Sequence, residues 1–296
     1  MFTGLSAFPL TPLVNGQVDE TTFVSLIETL AAARVDSVAA LGSTGSHAYL
    51  SREQRARVTT LAVQAAGDIP VITSIGALRL EEMLDIADDA QRAGVSGLLL
   101  APLSYQPLSQ EEAYRLYERV ARAVSVPLCI YDNPATTGFT FTPELLQAVA
   151  RLPNVGSVKR SPSGTTLAQM REEIAALRRD IPATVTIGAS ADPKAISALL
   201  AGADTWYSVV AGLWPHDSRA LAQAALSGDE ARTAALNAAF EPLWALFRHH
   251  GGLRVIAAAA ELTGRVAAPC LPEPLQSLQG DARAQLQRVL AAHDYR

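Results

Sequence analysis

Eight short apolar runs, separated by segments of helical period, constrain the fold of this chain more than any other feature. They are GLSAFPL (4–10), DSVAALG (36–42), PVITSIG (70–76), SGLLLAP (96–102), VPLCIYDN (126–133), VGSVK (155–159), TVTIGAS (184–190) and DTWYSVV (204–210). The runs are rich in β-branched residues and apolar throughout rather than alternating, which is the pattern of strands covered on both faces. Between the first two, Phe23, Leu26, Ile27 and Leu30 stand at i, i+3, i+4 and i+7, one face of a helix. Ser51 with Gln54 and Ser109 with Glu112 read as capping boxes, and Thr142-Pro143 as an N-cap followed by a first-turn proline. RAGVSG and LAGADT read as helix ends that pass through glycine into the next strand. Strands covered on both faces and alternating with helices form a parallel sheet. Eight such units predict an α/β chain closed as a (β/α)₈ TIM barrel. An open doubly wound sheet is the alternative, but it carries a glycine-rich phosphate turn after its first strand, and FPLTPLVNGQ lacks GxGxxG. The closing residues add helices, among them GDEARTAALNAAFEPLWALFRHH and DARAQLQRVLAAH, with no linker before them. The expected organisation is a barrel over 1–228 and a C-terminal helical extension over 229–296 packed on it.

Several function classes are set aside on composition. A net charge of −5 with dispersed arginines argues against nucleic acid as a partner. No apolar run approaches the roughly 20 residues of a membrane span, so no membrane association is expected. MFTGLSAFPL has neither a basic n-region nor a long h-region, so no signal peptide is expected. Cys129 and Cys270 belong to no CxxC and no histidine cluster, which argues against a disulfide or a metal site and suits a reducing cytoplasm.

Chemistry is concentrated where the strands end. A barrel of this kind places its active site at the C-terminal ends of its strands. There, strand two runs into LGSTGS, strand five into IYDNPATTG and strand six into SVKR. The chain has 24 basic residues, of which only Lys159 and Lys194 are lysines. Lys159 closes an apolar run, where burying an ammonium is costly. Tyr131 precedes it by one βα repeat, so the two are expected at the same end of adjacent strands, about 4.8 Å apart. An amine in an apolar barrel mouth gives up its proton more readily and condenses with a ketone, and a nearby phenol relays the protons that follow. The hydroxyls and N–H groups of GSTG suit a carboxylate. Each feature alone has a plainer explanation: a lysine at a solvated strand end, a tight turn, a core tyrosine. Lys194, in a first helical turn, is expected on the surface. His249 and His250 close a helix and are assigned no metal. Trp206, Trp214 and Trp244 are expected to pack, with Trp206 and Tyr207 candidates for the pocket wall.

Taken together and in this order, GSTG, YDNPATTG and SVK resemble the dihydrodipicolinate synthase/N-acetylneuraminate lyase superfamily along essentially the whole chain. The resemblance implies a (β/α)₈ barrel, an imine between a lysine and pyruvate, no cofactor, and commonly a tetramer. Position by position it makes Lys159 the imine-forming lysine and Tyr131 the proton donor. Ser43 and Thr44 become the hydroxyl pair that relays protons and holds the pyruvate carboxylate, with Gly45 in the same loop, and Tyr207 supplies a backbone group near pyruvate. The chain departs from the family's synthases where their carboxylate-gripping arginine is Thr136. It departs again where GTTGE becomes GSTGS, and where the position after the lysine, often acidic, is Arg160. The family's relay tyrosine, donated across a subunit interface, falls at Ser104, with Tyr105 one place late. Strand alternation is expected to turn Arg160 away from the lumen.

The expected function is therefore that of a cytoplasmic, homo-oligomeric (tetrameric or dimeric) class I aldolase, a carbon–carbon lyase. It cleaves or condenses a 2-oxo acid with pyruvate as the common fragment, and the second reactant is left open. The alternatives are 4-hydroxy-tetrahydrodipicolinate synthase, acting on pyruvate and aspartate semialdehyde, and a barrel that binds a 2-oxo acid without turnover.

Overall fold

The structure is a computed structural model describing residues 1–296. The eight anticipated strands are present: β1 Gly4–Ala7, β2 Ser37–Ala40, β3 Val71–Ser74, β4 Gly97–Leu100, β5 Leu128–Asp132, β6 Val155–Arg160, β7 Thr186–Ala189 and β8 Thr205–Ser208. All pair in parallel with their sequence neighbours, and β8 returns to β1 to close the barrel. Apart from β6, which continues one residue past its run, the strands are shorter than the apolar runs that announced them, because the last residues of those runs turn out of the sheet to build the mouth. Closure removes the sheet edges and buries the main-chain donors and acceptors in a continuous ladder.

Besides a one-turn helix over Pro134–Thr137, seven helices follow strands β1 to β7: α1 Glu20–Ala32, α2 Arg52–Ala66, α3 Leu80–Ala93, α4 Gln110–Ala123, α5 Pro143–Ala150, α6 Leu167–Asp180 and α7 Asp192–Leu200. α8 (Pro215–Leu226) completes the ring, and α9 (Glu230–His250), α10 (Gly252–Leu262) and α11 (Gly280–Ala292) form the tail. The anticipated α1 face (Phe23, Leu26, Ile27, Leu30) is buried. The capping boxes at Ser51/Gln54 and Ser109/Glu112 are formed, and Thr142 caps α5. Thr166 with Gln169 adds a third box. A two-stranded ribbon, Leu13–Val14 with Gln17–Val18, was not read from the sequence. It turns at Asn15-Gly16, both at positive φ, the dipeptide that a tight hairpin favours.

Two apolar regions result. The larger joins the outer strand faces to the helices, tail included, while a small one fills the lumen with Ala39, Ile72, Leu99, Cys129, Tyr131 and Tyr207 among others. Alternation along β8 sends Tyr207 into the lumen and Trp206 outward, where its Nε1 donates to Asp192 at 2.9 Å. Trp206 therefore packs behind the barrel rather than lining a pocket. No helix of the chain is long and apolar enough to cross a membrane.

Candidate active site

The floor of the site is set by the register of β5 on β6. Tyr131 and Lys159 are directly paired, so both side chains leave the sheet into the lumen. Lys159 is 5% exposed, its Nζ lying 3.8 Å from the Phe8 ring centroid and 4.1 Å from that of Tyr131. A desolvated ammonium gains about 2 kcal/mol from such a ring face, which offsets part of the cost of burial. The next pair in the register, Asp132 and Arg160, faces outward, and Arg160 lies 3.3 Å from Glu173. That arginine is turned from the lumen, as alternation requires.

Burial alone would push the Tyr131 phenol upward. The Lys159 charge and hydrogen bonds with Ser43, Asn133 and Thr136 together outweigh it and hold the phenol below its ordinary value. The Asn133 bond is 2.9 Å, from Nδ2 to the phenol oxygen. Beneath, the Tyr207 hydroxyl lies 2.7 Å from Ser157 Oγ, so Tyr207 contributes its side chain to the lumen floor.

The loop after β2 forms one wall. Leu41 and Ser46 adopt left-handed φ at its two ends, which folds GSTG tightly. A Cβ on Gly42 would lie 2.5 Å from the Phe8 ring, and one on Gly45 would lie 2.9 Å from the Leu41 backbone. The glycines thus let the loop close under the ring that covers Lys159. Behind it, buried His47 has Nδ1 3.3 Å from the Gly42 carbonyl and Nε2 without a partner. Burial first, then the Arg55 charge, push this imidazole down to about 4.

A cavity of about 530 Å³ opens over Lys159. It brings together Lys159, Tyr131, Ser43, Thr44, Thr136 and Tyr207 from four separate segments. Gly45 shapes the loop but is not on the wall, and Tyr105, 88% exposed, lies outside the cavity. Lys194 corrects its sequence reading. It is half-buried and on the cavity wall, with Nζ donating to the Pro162 carbonyl at 3.0 Å. His250 lines the outer part as well. Phe8, Asn133, Ser190 and Asp192 also line the cavity and were not anticipated. Asp192 accepts from Trp206 Nε1, Val209 N and Val210 N, and burial, working against those bonds, pushes its carboxyl up to about 6.

A lysine buried at a strand end beside a phenol, over a closed (β/α)₈ barrel, marks the class: carbon–carbon lyases of the class I aldolase kind. Comparison with known proteins supplies the family. The dihydrodipicolinate synthetase family profile matches residues 1–293, and the chain belongs to that family. The chain is 32% identical over 235 residues to a 4-hydroxy-tetrahydrodipicolinate synthase of Phenylobacterium zucineum, covering 77% of this chain and 76% of the relative. A protein of the same name from Syntrophobacter fumaroxidans is 29% identical over 294 residues, 99% of each chain. Among solved structures, a dihydrodipicolinate synthase from Agrobacterium tumefaciens superposes with a TM-score of 0.95 at 45% identity, covering 98% of both chains.

Proposed function

We propose that Lys159 forms an imine with pyruvate or with a 2-oxo acid that contains it, and that the enzyme makes or breaks the bond between C3 and C4 of that acid. The observation that carries this reading is the in-register placement of Lys159 against Tyr131 at the cavity floor. In cleavage, Lys159 Nζ adds to the C2 carbonyl and water leaves, giving a protonated imine. Tyr131, left as a phenolate after giving its proton to the oxygen that departs as water, then takes the proton of the C4 hydroxyl through Ser43. The C3–C4 electrons pass into the iminium, and the aldehyde departs, leaving an enamine. Protonation at C3 and hydrolysis then release pyruvate and restore the amine. Ser43 and Thr44, with the amides of the Gly45 loop, hold the carboxylate, Tyr207 supports the floor, and Thr136 faces the second reactant.

A second reading, condensation with aspartate semialdehyde, is favoured by the names of the relatives. Against it stands Thr136, whose neutral hydroxyl cannot make the paired charge-assisted bonds of an arginine. We also read the chain as a cytoplasmic homo-oligomer, with 1–228 as barrel and 229–296 as extension. Support for association comes from Leu78 and Tyr105, 68% and 88% exposed, beside an apolar groove between α3 and α4. Deuterium uptake at the pyruvate methyl in D₂O tests the enzyme reading. Exchange is expected, and its absence would leave only a 2-oxo acid binder.

A further inference from the structure

The chain contains two lysines, and both line the same cavity. Lys159 sits at its floor and Lys194 toward its outer end, in the first turn of α7, where the tail folds over the mouth. The charge on this outer wall is one-sided. The single carboxylate, Asp192, is occupied by the Trp206 indole and two backbone amides. The same cavity is lined by Lys194, Arg248, Arg254 and His250. Arg248 is satisfied by Glu241. Lys194 and Arg254 instead donate to backbone carbonyls, of Pro162 at 3.0 Å and Gln276 at 2.6 Å, and each keeps further donors. The first turn of α10, which carries Arg254, has no acidic residue and no side-chain cap, so its amides add to the positive potential.

The geometry points to an anion subsite, built from Lys194 and Arg254 on the cavity wall, that takes the carboxylate or phosphate terminus of the substrate fragment distal to pyruvate. The substrate class is then a hydroxylated 2-oxo acid with a second anionic group at its far end. This rests on the aldolase reading for which fragment lies at the floor. Charge-assisted bonds of this kind are worth about 10–150-fold in binding.

The test uses three six-carbon probes that differ only at C6: 2-oxo-3-deoxygluconate, its 6-phosphate, and the corresponding C6 carboxylate. Binding is measured by calorimetry in the Lys159→Ala background, where no imine forms. At least one anionic probe is expected to bind about tenfold or more tighter than the neutral one, and the tighter of the two identifies the anion. Adding Lys194→Met should abolish the preference and Lys194→Arg should restore it. Arg254→Met, at an exposed position, gives the same reading should Lys194→Met fail to fold. Equal binding of all three probes, or a preference that survives both Met substitutions, overturns the subsite. Borohydride trapping of pyruvate by the wild-type protein is run separately. Trapping is expected, and its failure would overturn the aldolase reading while the calorimetry still decides the subsite.

Discussion

Replacing Tyr131 by phenylalanine removes one oxygen and leaves everything else at the floor of the site in place. The ring stays over the Lys159 ammonium, 4.1 Å from Nζ, so that attraction is retained. The loss is the 2.9 Å bond from Asn133, whose half-buried amide can turn to water, with the phenol's bonds to Ser43 and Thr136 on the cavity wall, and the change in stability should be about 1 kcal/mol. The effect on rate is far larger. A positioned acid–base group contributes about 10²–10⁴-fold, or roughly 3–5.5 kcal/mol of barrier, and a ring alone supplies none of it. The pH profile separates this role from a packing role. Burial raises the Tyr131 phenol, and the Lys159 charge together with hydrogen bonds to Ser43, Asn133 and Thr136 overcomes it and holds the phenol below its ordinary value. As pH rises the phenol loses its proton and can no longer donate, so the alkaline limb of wild-type exchange should begin below the usual tyrosine range near 10. In Tyr131→Phe that limb should vanish. The assay is deuterium uptake at the pyruvate methyl, followed by proton NMR across pH, with urea unfolding as the stability control. Exchange at the wild-type rate with the alkaline limb intact would refute the relay and leave Tyr131 as a core aromatic.

Thr136→Arg should raise condensation of pyruvate with aspartate semialdehyde by about 10–150-fold, the worth of a restored charge-assisted pair. A coupled assay that finds the wild type already efficient would defeat that expectation. Asp192→Ala strands the Trp206 indole and the Val209 and Val210 amides in a buried setting, and should cost about 3–5 kcal/mol in urea unfolding. His47 is buried neutral with its imidazole at about 4 against 6.5 when unfolded. Its contribution to stability is therefore complete above pH 6.5 and is lost as pH falls toward 4, by about 3 kcal/mol. Asp192, pushed up to about 6, acts in the opposite sense over much of that window, so the acid limb should be compared directly in wild type and His47→Gln, where it is expected to flatten.

The parts of this account that were legible in sequence are those fixed by local pattern or by repeat length. Unbroken apolar runs located all eight strands, and Ser51, Ser109 and Thr142 marked helix starts through caps that form within four residues. One βα repeat between Tyr131 and Lys159 was enough to place them side by side, because parallel strands of a barrel advance in step. The hairpin over 13–18 was missed because strands of two residues have no period to detect, although Asn15-Gly16 carried its turn. Phe8 was read as one more apolar position, since its place over Lys159 depends on the β2 loop folding beneath it past Gly42. Lys194 was misplaced for a different reason. Its helix position gave no hint that α9 and α10 fold back over the barrel mouth and enclose it. The rarity of lysine in the chain marks both members of the pair.

The central claim, that Lys159 is the amine that forms the imine, is tested most directly by reducing the protein with borohydride in the presence of pyruvate and mapping the adduct by peptide mass. Because the second lysine lines the same cavity, the experiment discriminates between two real candidates. The account predicts a single pyruvate adduct on the Lys159 peptide, absent in a Lys159→Ala protein that remains folded. An adduct on the Lys194 peptide, or none on either, would contradict it.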